Sequence, residues 1–415
     1  MLLFIKSSKL STKDKLKKFN FLYQTNVLIK AMLQEHKASS GLAYYRRQAI
    51  QKRISLLEGK TLVDALRKRL KARGVSQTTK QKGNLHIFLA YYISNWESIL
   101  PWVLKSFGKV TEFEWRSYGF DDRSLNWLAY RERMNDAMLN SFYKGHNEQP
   151  VDIVVGYLSG HNTNPSIVRK MGQSGAIIFN FCWDDKLNFP GKILGGRYTS
   201  PAAIASAVDL NLTNSPDSVI KYMLHGGLAI FWPEGAHPDI HKPYNLHFDY
   251  DVSFVGTKYS WRPKFIEKLR KMGITVVTFG NGWENGPLSN EEMVKLYSRS
   301  RINLGFASIG HSKKLMCLKG RDFEVPMSGG LYLTQHNPEL SLVYDVGKEI
   351  ITYRDERDCA EKIRYLLNHT EETARIRKAG RERALKDHTW EKRFEKIFEM
   401  VGLLNPINTA FANEQ

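Results

Sequence analysis

The chain is poor in features that would place it in several large classes. Only three of its 415 residues are cysteine, Cys182, Cys317 and Cys359. They are far apart and show no CxxC or Cys/His spacing, so neither a disulfide framework nor a zinc site is expected. No uninterrupted apolar run reaches the roughly 18 residues that a bilayer span requires. The opening MLLFIK is too short for the apolar core of a signal peptide and carries no small-residue cleavage pattern. Together these absences predict a reducing, cytoplasmic setting. Another scarcity is local: residues 1–83 contain no proline and only 4 Asp+Glu, against 20 Lys+Arg.

That local scarcity explains the charge. A net +19 first suggests a polyanionic partner. Residues 1–83 alone carry +16, however, whereas 84–415 balance 41 basic against 38 acidic residues for +3. An anionic partner therefore belongs to the N-terminal segment, and nucleic acid is not expected as a ligand. Within that segment Ile50, Ile54 and Leu57, then Leu62, Leu66 and Leu70, recur at helical spacing. Leu16 to Leu33 mixes Phe19, Phe21, Leu22, Val27, Leu28 and Ile29 with Lys15, Lys17, Lys18 and Lys30, as a basic amphipathic helix would. This pattern fits an anionic membrane surface, with the protein peripheral on its inner face. It fits equally well helices packed on the main body with their lysines solvated.

From Gly83 onward, short apolar runs alternate with amphipathic stretches, as in βαβ units around a parallel sheet. Strands are predicted at 85–91, 109–115, 151–157, 175–182, 209–213 and 228–232, making one domain over 84–232. A second series over 250–386 has strands at 251–256, 274–279, 301–305, 330–334 and 349–352. Its helices fall at 261–272, 289–299, 318–328, 357–368 and 371–385. Residues 233–249 begin with three prolines in eleven residues, Pro233 to Pro243, the composition of a linker. A helix with Thr389 as its cap and a polar tail close the chain over 387–415. The expected fold is α/β: two Rossmann-like, doubly wound domains facing a cleft, behind a basic helical extension over 1–83.

In such sheets ligands bind beyond the carboxyl ends of the strands. In the second domain these junctions carry a consistent set of residues. Gly256 lets the backbone approach a ligand, and Lys258 and Arg262 offer cations to phosphate. Gly280 and Gly282, before Trp283, leave room for a flat base. A lysine-containing loop, Phe306 to Leu318, follows the third strand. The segment KGRDFEVPMSGG (319–330) then leads into the next one. In it Glu324 has two acceptor oxygens for the two hydroxyls of a ribose. Lys319 and Arg321 supply positive charge for a diphosphate, helped by the positive end of the helix. Gly329 and Gly330 are counted with the site, although such a pair also serves as a helix stop. The set predicts a nucleotide-diphosphate site.

From about Tyr250 to Arg393 the series SFVGT, FGNGW, INLGF, KGRDFEVPMSGGLYLT, GKEI and HTWEKR resembles the CgeB-like (spore maturation protein) glycosyltransferases. These are two-domain GT-B enzymes related to the large group of retaining nucleotide-sugar glycosyltransferases. The likeness reaches back more weakly to about residue 84 and leaves 1–83 uncovered. It implies a nucleoside diphosphate sugar held as donor by the second domain, a glycan, lipid-linked or protein acceptor held by the first, and transfer in the cleft with no metal or other cofactor. One position departs from the related retaining enzymes, which often carry two glutamates eight positions apart. Glu324 matches the second, but Met316 stands where the first would be.

Catalysis needs charge stabilisation on the leaving diphosphate and a group that aligns or deprotonates the acceptor hydroxyl. Lys258, Arg262 and Arg321 serve the first need. Asp184 or Asp185, in Cys182-Trp-Asp-Asp-Lys186, and His161, in Ser159-Gly-His-Asn162, are the candidates for the second. The aspartate pair would serve as well to cap a helix or to pair with Lys186, and the histidine to brace its loop. Asp249 and Asp251 imitate a metal-binding DxD but stand at the head of a strand, and Asp121-Asp122 has no neighbouring ligand set. The reading from a different class is a catalytically inactive GT-B-fold scaffold that uses its basic helices to hold an anionic partner.

Overall fold

The computed structural model describes residues 12–75, 78–93 and 96–405, with side chains from Tyr23 onward. The opening MLLFIK and the tail beyond residue 405 lie outside the described residues. Two helices come first, α1 (Thr12–Gln51) and α2 (Gly59–Ala72). The first domain continues with β1 (Leu85–Tyr91), α3 (Leu100–Lys105), β2 (Gly108–Glu114), α4 (Trp127–Glu148), β3 (Ile153–Gly156), α5 (Pro165–Gln173) and β4 (Ile177–Cys182). A single turn, α6 (Asp185–Asn188), and a short hairpin, β5 (Ile193–Leu194) with β6 (Arg197–Tyr198), precede β7 (Leu210–Thr213), α7 (Pro216–Leu224) and β8 (Ala229–Phe231).

The first sheet has the order β2-β1-β3-β4-β7-β8, with every neighbouring pair parallel. β1, β3 and β4 are buried along their whole length. Covered on both faces, such strands read as continuous apolar runs rather than as alternation. Their side chains still divide with a period of two: Leu85, Ile87 and Leu89 enter one core and Phe88 and Ala90 the other.

The second domain runs β9 (Tyr250–Val255), α8 (Arg262–Lys271), β10 (Val276–Phe279), α9 (Asn290–Arg299), β11 (Ser300–Leu304), α10 (Gly320–Met327), β12 (Tyr332–Gln335), β13 (Ile351–Tyr353), α11 (Glu356–Asn368) and α12 (Thr370–Asp387). Its sheet order is β10-β9-β11-β12-β13, again all parallel. Helix starts follow local chemistry. Ser289 and Glu292 form a reciprocal capping box on α9, and Asp355 accepts two backbone N–H bonds at the start of α11. The last helix, α13 (Trp390–Met400), is capped by Thr389 as its sequence predicts. It crosses back to the first domain, where Trp390, Phe394, Ile397 and Phe398 are buried.

The N-terminal boundary differs from expectation. Leu62, Leu66 and Leu70 of α2 lie in the same core as β1, β3 and β4, each contributing about 1.5–3 kcal/mol of burial. Just past α2, Arg73 forks onto Asp209, with Nε 3.0 Å from Oδ1 and Nη2 2.6 Å from Oδ2. The segment from α2 to Gly83 therefore belongs to the first domain, because its leucine stripe and the Asp209 carboxylate need each other's partners. The helical spacing of Ile50, Ile54 and Leu57 is not one helix either. α1 stops at Gln51, Arg53 takes a φ of 53°, and α2 restarts behind Glu58, whose backbone N–H donates to Thr61 Oγ1 at 3.2 Å.

Candidate active site

The strand order of the second sheet reverses between β9 and β11, opening a crevice at their carboxyl ends. Two loops are zipped together on one wall. Gly256 N–H donates to Phe279 O at 2.9 Å and Lys258 N–H to Asn281 O at 2.8 Å. Gly280 has a φ of 116°, and a Cβ there would lie 2.5 Å from the Gly256 carbonyl oxygen, so only glycine fits. Rather than clearing space for a base, Gly280 lets the two backbones meet, and Gly282 packs against the Lys258 side chain. Trp283 donates its indole N–H to Gly256 O at 2.8 Å, and the Lys258 ammonium lies 5.2 Å from its ring centroid.

Arg262 opens α8. Its Nη1 donates to Thr257 O at 3.1 Å, and its guanidinium lies 4.3 Å from the Tyr259 ring and 5.5 Å from Phe306. Burial lowers its pKa, and nearby Arg321 adds to the fall. Two guanidinium groups thus share the crevice.

The opposite wall is the N-terminal end of α10. Lys319 N–H donates to Asp322 Oδ2 at 2.7 Å, and the Lys319 ammonium lies 3.1 Å from Cys317 Sγ. Arg321 has an unpartnered, buried Nε. Burial pulls its pKa down, but Tyr297, Glu324, Tyr332 and Glu234 outweigh that and raise it. Glu324 is buried and accepts a long bond, 3.4 Å, from the Tyr297 hydroxyl.

Glu234, which reads in the sequence as a linker residue, completes this group. A Cβ built on Gly320 would lie 2.9 Å from Glu324 Oε1 and 3.0 Å from Glu234 Oε2. Two carboxyl groups therefore converge on the start of α10. Burial and then the charge of Glu324 push the Glu234 pKa up to about 8, so it holds a proton at pH 7. The one sequence signal is an acidic residue in Pro233-Glu-Gly235 between two Rossmann-like units. His241 from the same segment is buried. It accepts the His237 backbone N–H on Nδ1 at 3.0 Å, which leaves its proton on Nε2. Met316 forms a β-bridge with Ser308.

Gly329 and Gly330 do not join the site. They end α10, where their N–H groups donate to Pro326 O and Val325 O, and they precede β12 at its amino end, whereas the crevice lies at the carboxyl ends of the strands. Their helix-stop role prevails because the chain must reverse there, with Gly329 at a φ of 70°.

Across the cleft, a cavity of about 290 Å³ lies beyond β1, β3 and β4 and is lined by Tyr92, Tyr157, His161, Asp184 and Ser200 among others. Asp184 is exposed and opens onto it. Its charge contributes to the raised pKa of Glu234, which puts the two walls within electrostatic reach. Asp185 is 1% exposed and turns instead to α7: its Oδ2 accepts from the Tyr222 hydroxyl at 2.8 Å, and burial raises its pKa. Both aspartates line the cavity, but Asp184 offers it an exposed carboxylate, whereas the Asp185 carboxylate is engaged by Tyr222 of the scaffold. His161 Nε2 lies 2.7 Å from Asp122 O. A carbonyl only accepts, so Nε2 carries the hydrogen and Nδ1 is the basic nitrogen. Lys186 Nζ to Glu339 Oε1 at 2.6 Å and Asn214 Nδ2 to Leu318 O at 3.4 Å tie the two domains together.

Among the described residues no group of three or more His, Cys, Asp or Glu side chains converges as a metal ligand set. Asp249 and Asp251 are ion-paired with Arg299 and Arg301, and Asp121 and Asp122 with Arg116. No described helix is long and apolar enough to cross a membrane.

Two parallel sheets, each with its crevice facing a shared cleft, and a last helix that returns to the first domain define the GT-B glycosyltransferase fold. Residues 262–399, about a third of the chain, match the family model described as glycosyl transferase-like. No curated protein matches the sequence. Among solved structures, Anabaena HepE in complex with UDP has a TM-score of 0.54 at 11% identity, over 77% of this chain and 100% of that one. HepE is also known in complex with UDP-glucose. The sucrose-phosphate synthase of Thermosynechococcus elongatus has a TM-score of 0.52 at 12% identity, over 76% of this chain and 98% of that one. The UDP-forming α,α-trehalose-phosphate synthase of Burkholderia vietnamiensis has a TM-score of 0.50 at 8% identity, over 77% and 99%.

Proposed function

We propose that the protein transfers a sugar from a nucleoside diphosphate sugar to a hydroxyl of a glycan, lipid-linked or protein acceptor. The observation that carries this is the convergence of Arg321, Lys319, Glu324 and a protonated Glu234 at the start of α10, opposite Lys258 and Arg262. Glu324 takes the ribose hydroxyls. Arg262, Arg321, Lys258 and the positive end of α10 take the diphosphate. HepE, which binds UDP and UDP-glucose, makes a uridine donor the first to test.

In the transfer, the bond from the sugar C1 to the diphosphate oxygen breaks. The electron pair leaves with the diphosphate, whose growing charge these cations stabilise. The acceptor oxygen bonds to C1 and gives its proton to the Asp184 carboxylate or to His161 Nδ1. Glu234 offers a carboxyl group where a first family glutamate, absent at Met316, would serve. Because it is neutral, it donates a hydrogen bond without adding negative charge beside the diphosphate. The assignment extends to the CgeB-like subfamily, to retention of configuration, to metal-independent transfer in glycan biosynthesis, and to a cytoplasmic protein peripheral on an anionic membrane.

Incubation with mixed uridine, guanosine, adenosine and thymidine diphosphate sugars, followed by mass spectrometry and NMR of the products, tests this. One donor should be consumed with its anomeric configuration kept. Recovery of every donor intact, with and without glycan acceptors, would remove the proposal.

A further inference from the structure

On the far side of the 185–200 segment from the Asp184 cavity lies a second, larger cavity of about 580 Å³, roofed by the C-terminal half of α1. The same short segment walls both: Asp185, Asn188, Thr199 and Ser200 face the first, and Lys186, Phe189, Pro190 and Tyr198 the second. α1 leaves the space open by sequence. Ala38, Ser40 and Gly41 are small where the helix passes over it, and a Cβ on Gly41 would meet nothing within 4 Å. Gly within a helix costs about 1 kcal/mol relative to Ala, so the opening is kept against helix propensity. Tyr45 and Ala49 seat α1 on the domain, with the Tyr45 ring 5.8 Å from Phe189.

The lining has one sign of charge. Lys37, Lys52, Lys186 and Lys221 contribute to it, and no Asp or Glu does; of the four, Lys186 is also paired with Glu339 across the domain boundary. Lys221 is 5% exposed. Its ammonium is held by Asp185 O at 3.3 Å, Lys186 O at 3.2 Å and Ser218 Oγ at 3.3 Å, with no carboxylate within ion-pair distance. Among the described residues, Asp185 and Asp217 balance its charge only from beyond ion-pair distance, so this wall of the cavity stays electropositive and suited to an anion. The aromatic rings there pack edge to face on one another, Tyr45 on Phe189 and Phe189 on His225.

We propose that this cavity is an acceptor subsite, which holds a segment of an anionic glycan carrying phosphate or carboxylate groups while the Asp184 cavity presents a hydroxyl for transfer. The inference rests on the glycosyl-transfer reading of the cleft. It also gives the +16 segment a specific role, with Lys37 of α1 and Lys52, just past its end, supplied to the acceptor.

The test uses the full chain. Binding of fluorescent hexagalacturonate, phosphorylated maltohexaose, neutral maltohexaose and a dT oligonucleotide is measured by anisotropy, and UDP binding by calorimetry. The wild type should bind one or both anionic glycans at least tenfold more tightly than neutral maltohexaose and the oligonucleotide; the carboxylate and phosphate arms distinguish the two anion sources. Lys37→Glu/Lys52→Glu and, separately, Gly41→Trp should each weaken that binding at least tenfold while UDP affinity stays within twofold. Anionic-glycan binding unchanged in both variants, or tighter binding of the oligonucleotide, would overturn this inference. Loss of UDP binding by the wild type would count against the cleft reading instead.

Discussion

Replacing Glu234 by Gln tests whether the inter-domain segment contributes a protonated acid to the site. The wild-type carboxyl is 8% exposed, with Glu324, Lys319, Asp322 and Asp184 as its charged neighbours. Its pKa of about 8 exceeds that of an unfolded glutamate. The folded state therefore binds the proton more tightly, and this stabilisation, full below the unfolded pKa, is lost as pH rises through the folded one. Between pH 6 and pH 8 the loss starts at about 1.4 kcal/mol per unit and halves as the group titrates, roughly 2 kcal/mol in all, enough to lower Tm by roughly 3 °C. Asp322, with a pKa raised to about 7 by burial, titrates nearby, so the useful quantity is the difference between Glu234→Gln and wild type. The expected result is a Tm difference in favour of the variant that grows from pH 6 to pH 8. Ionised Glu234 would also repel a diphosphate, so wild-type UDP affinity should fall by about tenfold between pH 7 and pH 9, with a flatter profile in the variant. Parallel curves for both proteins in both assays would refute the assignment.

Other substitutions separate the roles of the two walls. Asp184→Asn should lower transfer by about 10²–10⁴-fold and leave UDP affinity unchanged in calorimetry; equal activity would return the base assignment to His161. Asp185→Asn should act mainly on stability, read as a lower Tm with kcat kept in the folded fraction, since its carboxylate serves Tyr222. Leu66→Ala, in the core under β1, should cost about 2–5 kcal/mol in chemical denaturation. Deleting residues 1–83 should give unfolded protein by circular dichroism. Deleting 1–58, which leaves α2 whole, should give a folded protein that still binds UDP.

Much of the fold is legible because parallel strands buried on both faces leave unbroken apolar runs. Leu85–Tyr91 and Ile177–Cys182 stand where those runs predict, and Thr389 caps the helix its side chain announces. The N-terminal boundary was hidden by composition. Lysines and arginines dominate the count over 1–83, while the three leucines that bind α2 to the core weigh little in it. Arg73 looks like one more surface cation until Asp209, 136 positions away, is beside it. In the candidate site, Lys258, Arg262, Arg321 and Glu324 stand out in the sequence because each follows a strand end or opens a helix. Glu234 was not, since its meaning comes from the second domain folding against it. Gly329 and Gly330 misled for a complementary reason: glycines before a strand serve a helix stop as well as a ligand, and only the end of the strand at which they sit distinguishes the two.

The central claim is that the second-domain crevice binds a nucleoside diphosphate through Arg321 and Glu324. Calorimetric titration of the full chain with UDP, GDP, ADP and CDP, repeated on Arg321→Ala and Glu324→Ala, tests it most directly. One nucleotide should bind the wild type with saturable heat, and each variant should weaken it by at least tenfold. No heat from any of the four, or equal affinity in the variants, would contradict the claim.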